Sequence, residues 1–156
     1  MSSINKNIDL DTLYRKVIMD HYKNPRNRGV MEDESDIKIN MNNPTCGDRI
    51  QLQLKIEDGI VTDVKFDGEG CSISMSSASM MSQAIKGQKT EKALRMADVF
   101  SKMMLGEDYD DTGLDLGDIE ALAGVAKFPA RIKCATLCWK AMEKGLHEND
   151  HEDHEH

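Results

Sequence analysis

Apolar residues recur along this chain at two spacings, and the spacing switches at sharp boundaries. Leu13, Tyr14, Val17, Ile18 and His21 keep the i, i+3, i+4 rhythm of one helix face, which predicts a helix from Asp11 to Tyr22 with Asp11 as N-cap. Asn24-Pro25 stops it, and a turn-rich link runs on to Gly29. From Asp36 to Gly68 the period falls to two. Ile37 and Ile39 alternate with polar neighbours, Ile50, Leu52, Leu54 and Ile56 with Gln51, Gln53 and Lys55, and Thr62, Val64 and Phe66 with Asp63, Lys65 and Asp67. Asp58-Gly59 between the last two runs is a strong hairpin signal. Three antiparallel strands with one wet and one apolar face follow, and the apolar face needs helices to cover it. Helical spacing returns at about Ser72–Lys86, Glu91–Leu105, Ile119–Val125 and Pro129–Leu146. In the last of these, Ile132, Ala135, Trp139, Met142 and Leu146 share one stripe behind Pro129, a residue suited to a first helical position. The predicted fold class is α+β, a three-stranded antiparallel sheet backed by helices.

At 156 residues the chain fits one domain, here residues 1–146, followed by a tail. From His147 the sequence is almost only His, Asp and Glu, which cannot repay the entropy of folding and predicts disorder over 147–156. Five acidic residues of that tail account for most of the net charge of −8, so the body carries only −3. No basic stripe is present to neutralise phosphates, which argues against nucleic-acid binding and against an anionic membrane surface. Lys6, Asp9 and Asp11 stand where an export signal would need an apolar core, and the uncharged stretch from Cys71 to Ile85 is too short to span a bilayer. These features predict a cytoplasmic protein. Eleven methionines among only seven aromatic residues read as adaptable core filler, and His21 reads as a packed histidine beside the apolar stripe.

Gly106–Glu120 is acidic, and Asp108, Asp110, Thr112 and Gly113 imitate the first half of a calcium loop. The twelfth position is Ile119, where a bidentate Glu is required, so the segment reads as a solvated connection. The cysteines carry more. Disulfides are not expected in a cytoplasmic chain, which leaves metal binding, nucleophilic chemistry or inert burial for Cys46, Cys71, Cys134 and Cys138. Cys46 sits in a break between two strands, just before Gly47 and Asp48. Cys71 opens a helix near its positive end, and Cys134 follows Arg131 and Lys133 at the start of the last helix, three settings that favour a thiolate. On a helical wheel Cys134 lies roughly 110° from the centre of the apolar stripe and can face out, whereas Cys138, at roughly 70°, points inward as a small hydrophobe. Three thiolates with Asp48 make a four-coordinate zinc set. The residues alone leave that site in competition with scattered buried cysteines and with a cysteine hydrolase, although His21 has no visible link to any cysteine.

Taken together, Asn43-Pro44-Thr45-Cys46-Gly47-Asp48, Gly68-Glu69-Gly70-Cys71-Ser72-Ile73-Ser74, Arg131-Ile132-Lys133-Cys134-Ala135-Thr136-Leu137 and His21-Tyr22-Lys23-Asn24-Pro25-Arg26-Asn27 resemble the U-type iron–sulfur assembly proteins over almost the whole chain to about residue 146. The IscU branch carries a His just before the third cysteine, where this chain has Lys133. The long interval from Cys71 to Cys134 looks like the insertion of the SufU branch. The resemblance implies that Cys46, Asp48, Cys71 and Cys134 hold zinc at one end of the fold. It also implies a zinc-dependent sulfurtransferase that accepts persulfide sulfur from a SufS-type cysteine desulfurase and passes it towards downstream Suf scaffold proteins. In that scheme a desulfurase histidine replaces Cys46 on zinc, and the freed Cys46 thiolate is the catalytic nucleophile. Gly47 gives its loop the freedom to move. Read from the residues alone, Arg131 and Lys133 are either cations that steady the anionic site or an ordinary solvated helix start. The alternatives are a scaffold that builds a [2Fe–2S] cluster, or holds iron, on the same ligands, and a structural zinc module. Cys138 departs from the small residue usual in the family.

Overall fold

The computed structural model describes residues 14–32, 35–44 and 47–155, with side chains to residue 149. The expected N-cap Asp11, Leu13, Thr45 and Cys46 lie outside the described residues. A first helix, α1, covers 14–23. It is followed by strands β1 (Ile37–Asn43), β2 (Asp48–Glu57) and β3 (Ile60–Glu69), then helices α2 (Ser72–Ile85) and α3 (Thr90–Met104). A 3-10 helix (Gly117–Lys127) leads into the long α4 (Pro129–Glu155).

The strands form one antiparallel sheet in the order β1-β2-β3. Asn43 pairs with Asp48 at one end, and Glu57 pairs with Ile60 across the expected hairpin. Asp58 and Gly59 have φ of 53° and 75°, the left-handed pair that matches a two-residue turn to the twist of its strands. Leu52, Leu54, Val64 and Phe66 are fully buried on the inner face. α4 covers that face so closely that a Cβ at Gly145 would stand 2.6 Å from Ile37 Cγ2. Phe100 of α3 stacks on Trp139 of α4, ring centroids 4.9 Å apart.

α2 is buried on nearly all sides, and its serines are what make this tolerable. A buried hydroxyl needs a partner. Ser76 Oγ donates to Ile18 O at 2.6 Å, Ser77 Oγ donates to Ala135 O at 2.6 Å, and Ser82 Oγ lies 3.1 Å from Arg26 O. The Ser/Met run therefore binds α1, its following loop and α4 to one central helix. His21 is packed, as its position beside the stripe suggested. It is fully buried, with Nδ1 2.8 Å from Ser79 Oγ and Nε2 2.8 Å from Asp118 Oδ2. The carboxylate can only accept, so Nε2 carries a proton, and the bridge ties α1 to the 3-10 helix.

Two segments differ from the expectation. The helix expected over Ile119–Val125 is a 3-10 helix because its apolar residues repeat every three positions. Leu116, Ile119, Leu122 and Val125 are all buried, and three residues per turn keeps them in one row. The segment from His147, expected to be disordered, continues α4 as helix to Glu155. No Pro or Gly interrupts it after Leu146, and extending an existing helix avoids the cost of nucleation.

Candidate metal centre

Asp48, Cys71 and Cys134 arrive from three different elements. Asp48 opens β2 directly after Gly47, whose φ of 73° turns the chain back from β1 and whose N–H donates to Asn43 O at 2.9 Å. Cys71 is the N-cap of α2 but offers no side-chain cap, which leaves its sulfur free to point elsewhere. Cys134 lies in the second turn of α4. One ligand atom from each of the three comes within 4.8 Å of the other two.

Asp48 is fully buried, and its two oxygens are treated differently. Oδ1 accepts from the Cys71 backbone N–H at 3.1 Å and from Ser74 Oγ at 3.2 Å. Oδ2 is buried with no hydrogen-bond partner among the described residues. An unpaired buried carboxylate oxygen costs several kcal/mol of lost hydration unless a cation faces it. Two thiols on the same side supply the remaining donors, and this set of sulfur and carboxylate oxygen fits zinc. The pocket is also tight: a Cβ at Gly70 would lie 2.6 Å from Asp48 Oδ1 and closer still to Ser74 Oγ.

Arg131, on the exposed start of α4, faces both thiols. Attraction to Cys71, followed by a hydrogen bond with Cys134, holds its guanidinium pKa above the usual arginine value. Cys134 itself is fully buried, whereas its own helix wheel had placed it at the edge of the core and able to face out. The wheel sees only α4, and the neighbouring elements that close over this turn are invisible to it. Lys133 is exposed, and no side-chain hydrogen bond or ion pair joins it to the cluster among the described residues. Cys138 points inward as expected. It is 1% exposed, its thiol is pushed up to about 12 by burial, and its sulfur lies 3.5 Å from Ser77 Oγ. The sequence reading missed Ser74, although its position three residues after the N-cap is the signal for a side chain that turns back on the helix start. It also missed a cleft of about 560 Å³ whose wall includes Cys71 and Arg131, with α1 on one side and the 3-10 helix on another.

The fold and the site together define an α+β domain in which two thiols and a carboxylate, from Cys71, Cys134 and Asp48, converge with the spacing of a metal-ligand set. The model of the NifU-like N-terminal domain matches residues 13–135, and the chain belongs to that family. It is 69% identical over 140 residues to the zinc-dependent sulfurtransferase SufU of Bacillus subtilis, covering 90% of this chain and 93% of that one. It is 42% identical over 145 residues to the iron–sulfur cluster assembly scaffold protein IscU of Streptococcus pyogenes, covering 93% and 89%. The crystal structure of FiSufU from Fervidobacterium islandicum superposes with a TM-score of 0.79 at 34% identity, covering 84% of this chain and 94% of that one. Among the described residues no helix is long and apolar enough to cross a membrane.

Proposed function

We propose that this chain is a zinc-dependent sulfur carrier that takes persulfide sulfur from a SufS-type cysteine desulfurase for iron–sulfur cluster assembly. The observation that carries it is the convergence of Asp48, Cys71 and Cys134 around an orphaned carboxylate oxygen, in a chain 69% identical to a zinc-dependent sulfurtransferase. Asp48, Cys71 and Cys134 would hold the metal, with Cys46 as the fourth ligand. Bound zinc keeps the thiols deprotonated at neutral pH.

Turnover then belongs to Cys46. Its thiolate attacks the outer sulfur of the desulfurase persulfide. A new sulfur–sulfur bond forms on Cys46, the old one breaks, and the electron pair stays on the desulfurase cysteine as thiolate. Ser74 and the Cys71 N–H hold Asp48 in place meanwhile, and Arg131 offsets the negative charge of the thiolates. Downstream Suf scaffold proteins receive the sulfur. The scaffold reading, a [2Fe–2S] cluster built on the same residues, is the weaker one, because the position of its expected histidine is the exposed Lys133.

The test is a desulfurase assay with the purified chain. Wild-type protein is expected colourless with one zinc per chain and should stimulate cysteine desulfuration, and Cys46→Ala should abolish that stimulation. A brown chromophore that survives purification, or full stimulation by Cys46→Ala, would overturn the carrier reading.

A further inference from the structure

The cleft beside Cys71 carries an unusual balance of charge. Three cations line it, Arg15 from α1, Lys127 at the end of the 3-10 helix and Arg131 from α4, and among the described residues no acidic side chain does. In a chain with eight more acids than bases this is a local reversal of sign. Arg15 and Lys127 are exposed, and neither makes an ion pair among the described residues. Between the cations lie apolar side chains, Ile18, Ile73 and Phe128, the last 62% exposed. A volume of about 560 Å³ is ample for a small organic molecule.

We propose that this cleft binds a small anionic thiol, a molecule with carboxylate or phosphate groups and one free sulfhydryl, and presents it as an acceptor for the carried sulfur. The inference rests on the sulfur-carrier reading. Passing sulfur on requires one sulfur anion, the acceptor thiolate, to approach another, the persulfide. Like charges resist that approach, and fixed cations around the path lower the resistance. Arg15 and Lys127 hold the acceptor's anionic groups, Phe128 and its apolar neighbours cover its uncharged body, and Arg131 lines the cleft together with Cys71. The acceptor thiolate attacks the outer sulfur of the Cys46 persulfide. A sulfur–sulfur bond forms on the acceptor, the bond to Cys46 breaks, and the electron pair returns to Cys46 as thiolate. The acceptor leaves as a persulfide, with no outside oxidant or reductant.

Two probes separate the sources of the shared chemistry: glutathione, with two carboxylates, and coenzyme A, with phosphates. 2-Mercaptoethanol serves as the uncharged thiol. Zinc-loaded protein is charged by the desulfurase and cysteine, each thiol is titrated in, and trapped small-molecule persulfide is measured by mass spectrometry. At least one anionic thiol should half-saturate roughly tenfold or more below 2-mercaptoethanol, and that preference should shrink by about the same factor in Arg15→Glu and in Lys127→Glu. Unreactive S-methylglutathione or S-methyl-coenzyme A should bind the uncharged carrier by calorimetry, more weakly in both variants. A persulfidated Cys46 with equal use of all three thiols, or an unchanged preference in both variants, would overturn the cleft proposal and leave the carrier reading standing. A Cys46 that never acquires sulfur would overturn both.

Discussion

Cys134 and Cys138 lie one turn apart on α4, and both are buried, yet they sit in opposite chemical worlds. Cys134 meets Cys71, the Asp48 carboxylate and the Arg131 guanidinium. Cys138 meets Ser77, the Ala135 carbonyl and the apolar interior behind Trp139. Burial alone therefore says nothing about reactivity in this molecule. What differs is whether the burial is shared with charged partners converging from other elements.

The largest effect should come from removing the first thiol and not the second. Cys134→Ala is expected to lose stoichiometric zinc and sulfur transfer together, read by metal analysis and the desulfurase assay. Cys138→Ala should keep both, at a cost of about 1 kcal/mol in stability. If both variants lose zinc equally, the distinction between the two thiols is wrong.

A smaller effect tests what holds the carboxylate. Ser74 Oγ is 3.2 Å from Asp48 Oδ1 and touches no proposed nucleophile. Removing a hydrogen bond to a metal ligand commonly costs roughly 10–100-fold in affinity. Ser74→Ala should weaken zinc by that factor in a chelator competition, while Ser77→Ala, on the Cys138 side, should leave zinc affinity near wild type and lower stability instead. Ser77 Oγ accepts from Trp139 Nε1 at 3.1 Å, and leaving that buried indole N–H unpaired costs about 1–3 kcal/mol.

How much of this could be seen in the linear chain depended on whether the determinant was local. The β2–β3 hairpin was legible because Asp58-Gly59 dictates its own turn, and Cys138 was legible because the helix's own stripe places it nearer the core than Cys134. The 3-10 helix was misread, since Leu116, Ile119, Leu122 and Val125 fit an α-helical apolar pattern loosely and a three-residue repeat better. The burial of Cys134 was out of reach because the elements that close over it are distant in sequence. The cleft was out of reach for the same reason, being assembled from α1, the start of α2, the 3-10 helix and the start of α4. Cys-x-Asp hinted at Asp48 as a ligand, but only the orphaned Oδ2 gives a physical reason for a cation there.

The smallest effect sharpens the comparison from the Cys138 side, through pH. Burial pushes the Cys138 thiol from 9.0 up to about 12, so the folded state keeps a proton that the unfolded chain gives up. The stabilising contribution is complete below pH 9 and is lost as pH rises towards 12, because the unfolded state then binds fewer protons than the folded one. One unit above the ordinary thiol value the loss is about 1.4 kcal/mol. Other groups titrate in this range, so the measurement is a difference: denaturant midpoints of wild type and Cys138→Ala between neutral pH and pH 10. Wild type should fall more steeply, and the two stabilities should draw together as pH rises. Parallel curves would mean that the Cys138 thiol is not held protonated by the core, and the contrast with Cys134 would then have to rest on geometry alone.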